Sequence, residues 1–141
     1  MDEEKVLIIS CSGVGKAFGM VGREAMYTVV EDLRPGVTGT LCLSLLTMGD
    51  ESARAEATSR PTITIDGCPK MCARVNVEAV GGRPAASFKV VDTYRRFREL
   101  KPQAIAMPDE AGKQLARALA DEVAAEVDRL RAAGPANQGE A

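Results

Sequence analysis

Histidine is missing from this 141-residue chain, and that closes several routes at once. No zinc can be held by imidazole. No Ser-His-Asp triad and no Cys-His dyad can form. Any metal site must use Cys, Asp, Glu or backbone groups. Tryptophan is also missing and aromatics make up 4%, so the core must be built from Ala, Val, Leu, Ile and Met. No apolar run approaches the roughly 18 residues of a membrane-spanning helix. The opening Met1-Asp2-Glu3-Glu4-Lys5 is acidic, and the apolar run Val6 to Ile9 is too short for a secretory core. The chain is therefore expected in the cytoplasm, without a membrane partner. A net charge of −2 supplies no basic face for tracking phosphates, so no nucleic-acid partner is expected. The densest basic stretch, Tyr94 to Arg98, is short and followed by Glu99. It reads as a solvated helix face or loop.

The chain does contain four cysteines, Cys11, Cys42, Cys68 and Cys72. Thiols stay reduced in a cytoplasmic protein, so four of them point to metal or redox chemistry before disulfides. Their placement follows from the element pattern. Lys5 to Ser10 is a continuous apolar run ending at Cys11-Ser12-Gly13, the pattern of a buried parallel strand. Phe18, Val21, Ala25, Val29 and Leu33 then recur at helical spacing, and Pro35-Gly36 closes that helix. Thr38 to Leu46 reads as a second strand carrying Cys42. Glu51 to Ser59 reads as a short helix, and Thr62 to Ile65 as a third strand, ended by Asp66-Gly67. A helix is expected from Cys68-Pro69 to about Val80, with Pro in the first turn. Ser87 to Val91 is a fourth strand. Tyr94, Phe97 and Leu100 fit either a short helix or a covering loop. From Asp109, the spacing of Leu115, Leu119, Val123, Val127 and Leu130 gives a long amphipathic helix.

Strands alternating with helices predict one three-layer α/β domain over 1–133, with a mainly parallel sheet of about four strands. The tail 134–141 is expected to be disordered. Ligands of such sheets bind at the carboxyl ends of strands. Cys11 and Cys68 directly follow expected strands, Cys42 lies in one, and Cys72 falls one helical turn after Cys68. Four thiolates would satisfy zinc completely, and the same set would hold an iron–sulfur cluster. Lys70 adds positive charge between Cys68 and Cys72. Spacing alone leaves two readings open: a four-thiolate site, or Cys11 and Cys42 as small core residues. Asp66 suits either a helix cap or an acceptor behind the ligands, and Ser12 suits donation to a metal-bound sulfur. Gly13 lets the backbone turn sharply beside Cys11.

Asp66-Gly67-Cys68-Pro69 followed by Cys72-Ala73 resembles the signature of the DGC-domain family, named for its Asp-Gly-Cys. The resemblance extends to Cys11-Ser12-Gly13 and to Cys42, and runs from about Val6 to about Val91. It implies a small α/β domain with a metal, zinc, held by Cys11, Cys42, Cys68 and Cys72. Such a site would serve a structural, sensory or metal- or sulfur-handling role, with a protein as its partner.

Two enzyme readings of Cys11-Ser12-Gly13-Val14-Gly15-Lys16 compete with it. A phosphate-binding P-loop needs Gly where Ser10 stands and Ser or Thr where Ala17 stands. A cysteine phosphatase needs Arg at Ala17. A sulfur-transfer loop with Cys11 as reactive nucleophile needs fewer partners. No catalytic constellation is assigned. Met20, Met26, Met48, Met71 and Met107 read as core filler rather than a copper site.

Overall fold

The computed structural model describes residues 5–11, 16–67 and 69–133. The expected tail over 134–141, and Ser12, Gly13 and Cys68 among the site residues, lie outside the described residues. The chain forms a four-stranded, all-parallel sheet in the order β2-β1-β3-β4. The strands are β1 Val6–Ser10, β2 Thr38–Gly39, β3 Thr62–Asp66 and β4 Ala86–Lys89.

Strands β1 and β3 are buried throughout, which is why both read as unbroken apolar or β-branched runs. Alternate residues serve opposite faces. Val6, Ile8, Ile63 and Ile65 enter one core with helix α1 (Ala17–Tyr27) and helix α6 (Glu110–Ala133). Leu7 and Ile9 enter the other core with helices α2 (Leu43–Thr47), α3 (Glu51–Ser59) and α4 (Cys72–Ala79). Two helix layers thus enclose the sheet, giving the three-layer α/β domain. Helix α1 lies close to the sheet because Gly22 has no side chain. A Cβ there would sit 3.2 Å from Ile65 Cγ2 and 3.3 Å from Val90 Cγ2.

The first helix continues past Tyr27 as a π-helical stretch, Thr28–Leu33, so the predicted helical run to Leu33 is present in two geometries. Helix α6 starts where Asp109 accepts from the Gly112 N–H at 2.8 Å. It buries Leu115, Leu119, Val123, Val127 and Leu130.

Three boundaries and one burial assignment differ from the sequence reading. The predicted second strand over Thr38 to Leu46 pairs with β1 only at Thr38 and Gly39. Beyond Gly39 the chain leaves the sheet and folds as α2, which buries Leu46 against Ala73 and Val77. The predicted helix from Cys68-Pro69 begins only at Cys72, because Pro69 and Lys70 form a turn and Met71 takes a left-handed backbone with φ of 53°. The predicted fourth strand ends at Lys89, and Val90 and Val91 start helix α5, Val90–Arg96. Finally, Met48 and Met107 are exposed rather than core filler.

Among the described residues, no helix is long and apolar enough to cross a membrane.

Candidate functional site

The strand order fixes where a site belongs. From β1 the chain passes through α1 on one face to β2. From β3 it passes through α4 on the opposite face to β4. Helices α1 and α4 thus lie on opposite faces, and the carboxyl ends of these two neighbouring strands are where such sheets form a ligand crevice. Cys11 follows β1 at this edge, and Asp66-Gly67 closes β3 beside it. The Cys11 N–H donates to the Ile65 carbonyl at 3.1 Å, extending the ladder one step past the strand.

Gly67 sets the end of β3 against helix α1. A Cβ at Gly67 would stand 2.6 Å from both the Cα and the backbone nitrogen of Gly19. Only hydrogen at Gly67 permits this approach, so Gly67 seats directly on the first turn of α1. This is a physical reason for glycine after Asp66.

Asp66 is almost fully buried, with 1% exposure. Its Oδ1 accepts from the Ala73 N–H at 2.7 Å and its Oδ2 from the Arg74 N–H at 3.1 Å. The carboxylate thus caps α4 from seven residues upstream and clamps the segment that contains Cys72 to the end of β3. Burial pushes its pKa up, and the two N–H donors work against that rise.

The described thiols differ in surroundings. Cys11 is buried, whereas Cys42 and Cys72 are exposed. Cys42 stands just before α2, outside the sheet. Its Sγ lies 2.9 Å from Ser44 Oγ. The Ser44 hydroxyl pushes the thiol pKa down first, followed by the Ser44 N–H, with the Leu45 N–H and the charge of Arg23 adding to it against the cost of desolvation. Cys42 is thereby biased toward the thiolate, the form that binds metals. Cys11 and Cys42 line one cavity of about 430 Å³, together with Arg23, Met26, Tyr27 and Ser44. Arg23 also lies over the Tyr27 ring, 5.8 Å from its centroid.

Cys72 is the first residue of α4, and α4 packs against α2, the helix that Cys42 precedes. The expected helical turn from Cys68 to Cys72 does not form, since the helix starts at Cys72. Lys70 is exposed in the turn before it. Among the described residues, no three Cys, Asp or Glu donors converge tightly enough to hold an ion. The donor chemistry of Cys11, Cys42 and Cys72 suits a soft metal, but their described positions do not form a closed shell.

Ser44 and Arg23 are the polar residues that the sequence reading missed. Ser44 had a local signal in its position two residues after Cys42, just inside a helix start. Arg23 had none, because a lone cation on an amphipathic helix normally faces solvent.

These features define an open parallel α/β protein with cysteines at the point where its strand order reverses. The chain belongs to the DGC domain family, whose model matches residues 7–119. No curated protein and no solved structure matches the chain.

Proposed function

We propose that this protein binds a soft divalent metal, zinc before an iron–sulfur cluster, through thiolates at the carboxyl edge of its sheet. The observation that carries this is the shared cavity of Cys11 and Cys42, from different elements, at the edge from which the Cys72 helix departs. Ligands on separate elements suit a metal that ties loops together. Membership in the DGC domain family is compatible with such a role. Cys68 completes the proposed set of Cys11, Cys42, Cys68 and Cys72. Zinc held by four thiolates would serve a structural or sensory role, since no coordination position stays open.

In this reading each residue has a task of its own. Ser44 holds the Cys42 sulfur and favours its deprotonated form. Asp66 fixes the start of α4 and with it the backbone of Cys72. Gly67 keeps the β3 turn against α1.

Elemental analysis of protein purified without air tests the proposal. One zinc per chain, a colourless solution and blocked thiols are expected. A brown protein with visible charge-transfer absorption would assign iron–sulfur instead. Neither metal, with four titratable thiols, would overturn the metal reading. Cys72→Ser should weaken metal retention, and unchanged metal content would remove Cys72 from the ligand set.

A further inference from the structure

A second cavity of about 430 Å³ lies on the β4 side of the same sheet edge. Phe18, Pro69 and Val91 give it apolar walls, Lys89 and Arg95 give it charge, and Asp66 borders it. Cys11, Cys42 and Cys72 do not line it.

Lys89 is the informative residue. It ends β4 opposite Asp66 in the strand register and is half-buried. A partly buried ammonium normally has a carboxylate partner, because lost hydration must be replaced. Asp66 does not serve, since its oxygens are turned to the N–H groups of α4 and no ion pair joins it to Lys89. Among the described residues Lys89 takes part in no ion pair. Arg95 makes a single contact to Asp92 at 3.4 Å, on the exposed side of α5. A guanidinium carries five N–H donors, so most of its capacity remains open. Two cations with unused donors thus border an apolar-walled space at the carboxyl ends of β3 and β4, where ligands of parallel sheets bind. The volume lies within the range of small-molecule sites, roughly 300–1,000 Å³.

We infer that this cavity binds a small organic oxyanion, its acid group held by Lys89 and Arg95 and its apolar body against Phe18, Pro69 and Val91. Among the described residues, Asp92 is the anionic group that competes for Arg95. Asp66 sets a limit on ligand charge, favouring one acid group over two. The site does not depend on the metal reading, since Lys89 and Arg95 supply its charge.

Calorimetric titration of the full-length protein with benzoate, phenyl phosphate and inorganic phosphate tests the inference. Saturable binding of benzoate or phenyl phosphate, tighter than that of inorganic phosphate, is expected. Lys89→Met should weaken it about tenfold, the scale of one charge-assisted hydrogen bond at a partly exposed site. Lys89→Arg should restore most of it. Lys113→Met, on the exposed face of α6, should leave it unchanged, with thermal melts confirming that each variant is folded. Absence of saturable binding, equal affinity for all three anions, or indifference to Lys89→Met would overturn the inference. So would loss of binding in Arg23→Met alone, which would place the anion in the Cys11 and Cys42 cavity. Repeating the titration with Cys42→Ser separates the two proposals: anion binding should survive there, whatever happens to the metal.

Discussion

Asp66 and Gly67 hold the candidate site in place by opposite means, one by bonding and one by having no side chain. Asp66→Ala leaves the Ala73 and Arg74 N–H groups without an acceptor. It should cost about 1–3 kcal/mol in denaturant unfolding. Asp66→Asn keeps one acceptor oxygen and should recover part of that loss. Gly67→Ala puts a methyl carbon into the backbone of Gly19, which cannot swing aside as a side chain could. It should destabilise by about 1–3 kcal/mol, the range for overpacked positions. If Gly67→Ala melts like the parent, the close seating of the β3 turn on α1 is wrong. At this scale the sequence revealed which residue types matter, but not their contacts. The capping capacity of Asp66 is legible from its chemistry. Its target, seven residues onward, is not, because the usual cap reaches two or three residues. Met71 gave no sign of its left-handed backbone, a conformation glycine or asparagine normally fills.

Helices show which local patterns suffice. The spacing of Leu115, Leu119, Val123, Val127 and Leu130 placed α6 because one face of it is buried along its whole length. Its cap gives a pH-dependent outcome. Three N–H groups, from Gly112 first and then Gln103 and Ala104, hold the Asp109 carboxyl below its ordinary pKa of 3.8. A lowered folded pKa means stability that is present above the ordinary pKa and lost as pH falls through the lowered one. The Arg34 fork does the same to Asp128, with contacts of 2.8 and 2.6 Å. Melting temperature measured from pH 7 to pH 3 should therefore fall at the acid end. Asp109→Asn should make that fall shallower, and adding Asp128→Asn shallower still. An acid limb identical to the parent's would remove these carboxylates from the account. The second predicted strand failed for a reason of the same scale. Thr38 to Leu46 has strand-like residues, but β2 is an edge with one neighbour, and Leu46 finds more apolar contact by turning into α2.

At the scale of the whole molecule, alternation of strands and helices was enough to give the parallel sheet and its three layers. The order β2-β1-β3-β4 was not readable, since it depends on which side of β1 each later strand docks. That order is what sets the turns after β1 and β3 side by side. It also separates two cavities, one toward β2 with Cys11 and Cys42, one toward β4 with Lys89 and Arg95. A metal at the first would tie the end of β1 to the helix layer that holds α2 and α4. Chelator treatment should then lower the melting temperature of the metal-loaded protein, and zinc should restore it. Equal melting with and without chelator would show that no bound metal contributes to the fold.

The π-helical stretch Thr28–Leu33 bears on how this chain tolerates changes of length. There the Arg34 N–H reaches back five residues to the Val29 carbonyl, which is the geometry of one residue accommodated within an α-helix. The stretch lies at the far end of α1 from Cys11, toward the start of β2, where Thr38 pairs with Val6. Deleting one residue from it would let the helix close into regular α geometry with Leu33 and Arg34 still on the same faces, because four α residues turn through about the same angle as five π residues. The Arg34–Asp128 fork and the cysteine-bearing edge would both keep their spacing. Length variation is thus absorbed at the amino edge of the sheet, and the carboxyl edge, where Gly67 meets Gly19, has no such slack.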